Sequence, residues 1–394
     1  MQTETKTTVS LPALDDVKAM AQESGPCLSV ILSVQPTETN DRGVGARIRA
    51  AGQKAEQELA RLNLKPNEIR DFLDPVLGSA ESDVHESLER GALAIYRSLN
   101  GLWHFRLPSA ETDRVVFGDR FYVMPLVKFL SEDNEFYLLA LSQKNARLLR
   151  CTHSTSEQME LPPSVPTNLF DFNQHSQPDH RLENRAHGGQ KGNQGSHAGM
   201  MVAFGTGSDA DQKDEYLYHF FNEMDKQLQS FLRDKPLPLI VTAVDYELAL
   251  YHKVSEYRQL VPGGVEGAPD SLKGGEMHAR ALEVLKAYNQ SKADAALAQF
   301  GQTAGDRIST QIPDILASAV DGRVLYLFLA EGAQIPGRFD ESTHHTTGGG
   351  EIGVDAEDLI NLAALQTVAH AGQVFLLPRD KMPERRDAAA MWRY

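Results

Sequence analysis

A chain of 394 residues is too long for one ordinary hydrophobic core, so two or three domains are expected. Its 41% apolar content is that of a globular protein, and the absence of a long apolar stretch excludes a helical membrane span. A formal net charge of -15 argues against a protein that coats nucleic acid through a broad basic surface, but it leaves room for a local basic patch meeting RNA at one point.

The first residues, Met1-Gln-Thr-Glu-Thr-Lys6, contain no apolar core of the signal-peptide type, and the expected location is the cytoplasm without membrane association. A short helical pattern around Leu14, Val17 and Met20 precedes an apolar run, 28–34, that reads as a buried strand. Val44, Ile48, Ala51, Ala55, Leu59 and Leu62 recur at helical spacing and predict a helix over 44–62. Its exposed face carries Arg47, Arg49 and Lys54, then Glu56 and Glu58, which reads as a solvated charged face. A second helix fits 66–77, and strand-like runs follow at 91–96, 102–107 and 114–117. These elements make an α/β domain over residues 1–133, closed by the polar run Ser131-Glu-Asp-Asn-Glu135.

The second unit, expected over 134–262, opens with Phe136-Tyr-Leu-Leu-Ala-Leu141, a turn, and Ala146-Arg-Leu-Leu-Arg-Cys151, which is a hairpin signal. Residues 162–207 show little periodicity and many Gly, His, Asn and Gln; a stretch of that length inside a domain is usually functional or disordered. A strongly amphipathic helix over 211–232 comes next, then a buried strand at 239–244 and a helix at 247–257. The run Pro262-Gly-Gly-Val-Glu-Gly-Ala-Pro269 marks a boundary. The third unit, 263–394, alternates helices (276–300, 308–319, 356–369) with strands (324–329, 373–377), with a glycine-rich polar loop at 332–350. That alternation implies an α/β/α sandwich, and the whole chain reads as three α/β domains. Cys27 and Cys151 sit in or beside apolar runs and read as two buried free thiols of a reducing compartment.

The stretch that carries chemistry is Arg185-Ala-His-Gly-Gly-Gln-Lys-Gly192. Gly188 and Gly189 allow backbone angles that a Cβ forbids and let the main chain approach a bulky partner. Gln190 adds a backbone N–H and a neutral amide, groups that orient a water or stabilise a developing oxyanion with no change of protonation. In the order of its units, the chain resembles the archaeo-eukaryotic peptide-chain release factor and Pelota superfamily, most closely its bacterial branch, the bacterial archaeo-eukaryotic release factor-like proteins. The resemblance rests on the strand at 27–34, the hairpin at 136–151 and Gly188–Gln190 placed before the helix at 211–232. It also rests on Ala281-Leu-Glu-Val-Leu-Lys286 and Val324-Leu-Tyr-Leu-Phe-Leu-Ala-Glu-Gly332 in the last unit. It implies an RNase H-like middle domain with the Gly-Gly-Gln loop and an L7Ae-like last domain. It further implies action on ribosomes, in termination or rescue, by hydrolysis of the peptidyl-tRNA ester. Gly188, Gly189 and Gln190 would be the catalytic loop, Arg185 and Lys191 would touch RNA phosphates, and a protein partner could dock on the C-terminal domain. No cofactor is implied. The Asn-Ile-Lys-Ser motif of stop-codon readers is absent; the corresponding region has Val44-Gly-Ala-Arg-Ile-Arg49.

Two other readings remain. One is a non-catalytic ribosome- or RNA-binding factor in which the triplet is incidental. The other is a metal-dependent hydrolase or nuclease using His175, Asp179, His180, His187 and His197 of the same stretch, although their spacing matches no metal motif. No Walker sequence, dinucleotide fingerprint or serine elbow is present.

Overall fold

The computed structural model describes residues 9–34, 42–62, 64–79, 91–108, 111–175, 209–272, 274–352 and 356–394. In chain order the first elements are α1 (Leu14–Ala21), β1 (Cys27–Val34), α2 (Arg42–Arg61), α3 (Pro66–Gly78), β2 (Gly91–Arg97), β3 (Leu102–Leu107), β4 (Arg114–Gly118) and α4 (Met124–Ser131). Next come β5 (Glu135–Leu141), β6 (Ala146–Thr152), β7 (Ser156–Gln158), α5 (Leu169–His175), α6 (Asp209–Phe231), β8 (Leu239–Ala243), α7 (Asp245–Val254) and β9 (Leu260–Glu266). The last stretch holds α8 (Gly274–Gln302), β10 (Ile308–Ser309), α9 (Ile312–Val320), β11 (Val324–Ala330), β12 (Pro336–Asp340), β13 (His345–Gly348), β14 (Glu357–Asp358), α10 (Leu359–Ala369), β15 (Gln373–Leu377) and β16 (Ala388–Trp392). The mixed α/β structure is what the sequence led us to expect, and its described strands form four sheets.

The chain forms two compact units, one from residues 1–134 with 289–394 and one from residues 135–288. In the first, β1 lies inside an antiparallel sheet of order β3-β2-β1-β4 and is buried on both faces. Its alternation sends Leu28, Val30, Leu32 and Val34 against Ile48, Leu59 and Phe72 of α2 and α3. Cys27 and Ile31 point the other way, into a core shared with Leu362, Leu365 and Leu327 from the C-terminal stretch. The second sheet of this unit, β10-β16-β11-β15, has helices on both faces. Leu327, Leu329 and Val374 face α9 and α10, while Phe328, Ala330 and Met391 face Ala293, Ala296 and Phe300 of α8.

The residues expected to form separate first and third domains thus share one core. The cause is α10. It is apolar on every face, and each residue from Leu359 to Val368 is buried. A helix apolar all round needs cover all round, and α1 and α4 of the N-terminal stretch supply part of it. Leu359, Ile360, Leu362 and Leu365 each gain about 1.5–3 kcal/mol from burial. The one amide on this helix side, Asn361, is satisfied across the same seam: its Nδ2 donates to the Phe121 carbonyl at 2.8 Å, and its Oδ1 accepts from the Val123 N–H at 2.8 Å.

The second unit holds a sheet of order β7-β6-β5-β8-β9. β5 pairs with β6 antiparallel and with β8 parallel, and β8 pairs with β9 parallel. Helices α6 and α7 cover one face through Phe220, Phe221, Met224 and Tyr251, and Met277, Ala281 and Leu285 of α8 cover the other. The boundary expected at 262 falls inside β9. Gly264 serves packing: a Cβ there would lie 2.4 Å from the Val241 carbonyl oxygen and 2.8 Å from Leu248 Cδ1. Three further expectations change. Arg47 is no free surface cation, because it pairs with Asp113 at 2.9 Å and donates to the Ser33 carbonyl at 2.8 Å. The glycine-rich stretch 332–350 contains the paired strands β12 and β13, and the stretch 162–207 contains α5.

His104 on β3 is 6% exposed, and its Nε2 lies 2.7 Å from the Ser79 hydroxyl. Burial pushes its imidazole down to about 4. The unfolded chain takes up a proton near the ordinary histidine value while the folded chain stays neutral. Stability is therefore full above pH 6.5 and falls as pH drops from there toward 4. His104→Asn should flatten a urea-denaturation series across this window, whereas an unchanged slope would exclude His104 as its source. Asn361→Ala leaves the Phe121 carbonyl and Val123 N–H without partners, and the urea midpoint should report a loss of about 2–4 kcal/mol.

Candidate functional site at the carboxyl edge of the second sheet

In an open α/β sheet the carboxyl ends of parallel strands, where the strand order reverses, form a natural site. Here the order reverses at β5, whose neighbours are antiparallel β6 and parallel β8. The turn after β5 and the start of α7 after β8 are laced together. Gln143 Nε2 donates to Glu247 Oε1 at 2.8 Å, and Ser142 Oγ donates to Asp270 Oδ2 at 3.0 Å. The same turn holds the start of α5: the Leu169 N–H donates to the Gln143 carbonyl at 3.0 Å, and Asn168 Nδ2 donates to the Lys144 carbonyl at 2.8 Å. Asn168 Oδ1 caps α5 by accepting from the Phe170 N–H at 2.8 Å and the Asp171 N–H at 3.2 Å.

α6 is fixed by a buried carboxylate. Asp225, 3% exposed, accepts from Tyr251 Oη at 3.1 Å, the Glu256 N–H at 2.9 Å, Gln229 Nε2 at 2.7 Å and the Ser255 hydroxyl. Four donors satisfy the charge without a cation. Together with its burial, Asp225 holds the Tyr251 phenol well above its usual range. Nearer the start of α6, the Asp214 carboxylate raises the Tyr246 phenol above its usual range. Phe172 of α5 lies 5.7 Å from Phe220 of α6, ring centre to ring centre. Both helices are therefore anchored to the sheet by side-chain bonds and ring packing.

α5 ends at His175 and α6 begins at Asp209. Gly188, Gly189 and Gln190, with Arg185 and Lys191, fall between them and lie outside the described residues, as do Asp179, His180, His187 and His197. Among the described residues no group of three or more His, Cys, Asp or Glu is arranged to hold a metal ion. Burial pushes the Cys27 and Cys151 thiols up to about 12, which removes both as nucleophiles. No helix among the described residues is long and apolar enough to cross a membrane.

Asp225, Tyr246, Glu247 and Gln143 escaped the reading of the sequence. Asp225 left one signal: it occupies a position of the apolar stripe of α6, four residues after Phe221 and three before Leu228, where a charge needs partners.

Over its second unit the chain is similar to release factor-like proteins of the bacterial archaeo-eukaryotic type. Residues 135–323 match the family model described as Bacterial archaeo-eukaryotic release factor family 3. No curated protein matches the chain. Among solved structures, the archaeal translation termination factor aRF1 is similar at 14% identity, covering 99% of this chain and 100% of that one, with a TM-score of 0.22. Archaeoglobus fulgidus Pelota follows at 9% identity, 98% and 93% coverage and a TM-score of 0.31. Dom34 of S. cerevisiae, described as a translation termination-like factor that interacts with Hbs1, has 11% identity, 80% and 78% coverage and a TM-score of 0.35.

Removal of the Asp225 carboxylate strands the Tyr251 hydroxyl and the Glu256 N–H. Asp225→Ala should destabilise the second unit by about 3 kcal/mol, read as a lower urea midpoint for near-ultraviolet signals of its tyrosines. Asp225→Asn should recover part of that loss, and equal losses in both variants would mean that the charge rather than the bonding matters.

Proposed function

We propose that the chain acts on ribosomes as a release factor, in termination or in rescue, and promotes hydrolysis of the peptidyl-tRNA ester through Gly188, Gly189 and Gln190. One observation carries the reading: the release factor family match over 135–323 contains the triplet. The anchoring of α5 and α6 supports it, since a loop that must present groups to a crowded RNA cavity works best from a rigid base. The antiparallel β5-β6-β7 on one side and parallel β8-β9 on the other support an RNase H-like description of this unit. The layering of α8 and α10 about β11 and β15 supports an L7Ae-like description of the C-terminal stretch, on which a protein partner would dock. The cytoplasm follows as the place of action.

In the reaction the protein supplies neither covalent nucleophile nor general base. Water attacks the ester carbonyl, the carbonyl oxygen gains charge, and the Gln190 backbone N–H and amide place the water and stabilise that charge. Gly188 and Gly189 let the loop reach the ester, and Arg185 and Lys191 meet phosphates. The carboxylates that dominate the described edge do not take part.

The test is a peptide-release assay on ribosomes loaded with peptidyl-tRNA, run beside ribosome co-sedimentation. Gly189→Ala should abolish release while co-sedimentation persists, because misplacing the water-orienting group by about 1 Å costs roughly a hundredfold. Gln190→Ala should be milder, since the backbone N–H survives and only part of the ~3 kcal/mol of an oxyanion donor is lost. Unchanged release in Gly189→Ala would reject the esterase and leave a ribosome-binding factor.

A further inference from the structure

The large apolar side chains left exposed among the described residues are not scattered evenly. Four gather on the carboxyl edge of the second unit: Phe170 at 69%, Tyr246 at 50%, Val244 at 40% and Tyr218 at 39%. Exposed apolar groups that cluster mark interaction surfaces, whereas single ones need no explanation. Tyr246 and Tyr218 stand on neighbouring helices, which are joined by the Phe221–Tyr251 ring contact at 5.8 Å and by the Tyr251 hydroxyl on Asp225. Asp214 stands one turn before Tyr218 on the same side of α6. Val244 is the residue from which α7 starts, two positions before Tyr246. Phe170 belongs to the same edge because its neighbour Leu169 is bonded to Gln143, which in turn holds Glu247 beside Tyr246.

The charges among these rings choose the partner. Asp214, Asp245 and Asp270 are exposed on this edge, and they outnumber its cations, Lys144 of the hairpin turn and Arg147, which donates to the Pro269 carbonyl at 3.4 Å. Asp245 and Glu247 sit in the first turn of α7 and offset the positive helix end that would otherwise draw an anion. Phosphates are bound by lysine and arginine, and here they would face carboxylates. A guanidinium or ammonium group fits in both respects, stacking on the tyrosine rings while a carboxylate accepts its N–H groups.

We propose that the edge formed by Phe170, Tyr218, Val244 and Tyr246 with Asp214 and Asp245 docks an arginine- and lysine-bearing segment of a partner protein. This contact is separate from the chemistry of the Gly-Gly-Gln triplet and survives if no ester is hydrolysed. The surface holds the basic segment by ring faces and carboxylates together, so loss of either set weakens it.

Binding of a short fluorescein-labelled oligo-arginine peptide to the full chain, followed by anisotropy at low and at physiological ionic strength, tests the assignment. Tyr218→Ala with Tyr246→Ala should weaken binding about tenfold, and Asp214→Asn with Asp245→Asn by a similar factor. Tyr218→Phe with Tyr246→Phe keeps the ring faces and should stay within about twofold of the parent chain. Glu56→Gln with Asp74→Asn, which removes the same charge from the first unit, should leave binding unchanged. If that control pair loses as much as the edge pair, the peptide is responding to overall charge and the proposal fails. It fails equally if an unlabelled single-stranded RNA oligomer displaces the peptide from this edge. It fails too if the alanine pair turns a dimer into a monomer in sedimentation without weakening the peptide, since a second copy of the chain then covers the rings.

Discussion

The first unit depends on the burial of α10. A helix without a polar face cannot lie on a surface, and the C-terminal sheet covers only one side of it. The remaining cover comes from residues more than two hundred positions earlier in the chain. Hydrophobic burial supplies the energy there but little direction. Asn361 supplies the direction, because its amide has one donor and one acceptor bonded to the backbone at Phe121 and Val123. A shift of one residue along this seam would bury an amide and two peptide groups without partners. The penalty would be several kcal/mol, comparable with a large part of the stability of a domain.

The second unit solves a different problem with similar means. Its sheet is a plain hydrophobic support, but the edge that faces outward carries carboxylates, amides and rings. These groups are bonded to one another and to the backbone. Asp225 shows how a carboxyl group is held inside such a unit: four donors surround it, and none is a cation. The result is a stiff base for α5 and α6. Stiffness of this kind is what the proposed catalytic loop requires, since a misplacement of about 1 Å costs roughly a hundredfold in rate.

Much of this was legible in the residues. Helical spacing located α2, α6 and α8, and alternation or apolar runs located β1, β5, β6, β11 and β15, because those elements bury one clear face. Short elements escaped. β9 was hidden by Pro262 and two glycines, residues that usually signal a turn, although Gly264 here permits close contact with β8. β16, with its Ala388-Ala-Ala start, has no strand propensity of its own and is held between β10 and β11 by tertiary pairing. The sharing of a core by the two ends of the chain was not legible. A pattern shows that α10 is apolar all round but not which distant residues cover it. In the candidate site, the triplet was visible as a motif. The aromatic and acidic edge was not, since Phe170, Tyr218 and Tyr246 are far apart in sequence and meet only through the turn after β5.

The discontinuity of the first unit also sets an order of events during synthesis. The second unit is complete once residue 288 has been made, and all five strands of its sheet lie before that point. The first unit must wait for about another hundred residues, because α4 and the face of β1 turned away from α2 and α3 lack part of their cover until α10 exists. During that interval the cluster around Ile31 and Phe121 holds its N-terminal members, with Tyr96 and Trp103 against Phe121, but it lacks Leu327, Leu362 and Leu365. The core shared by the two ends of the first unit is therefore completed only after every residue of the second unit has been made.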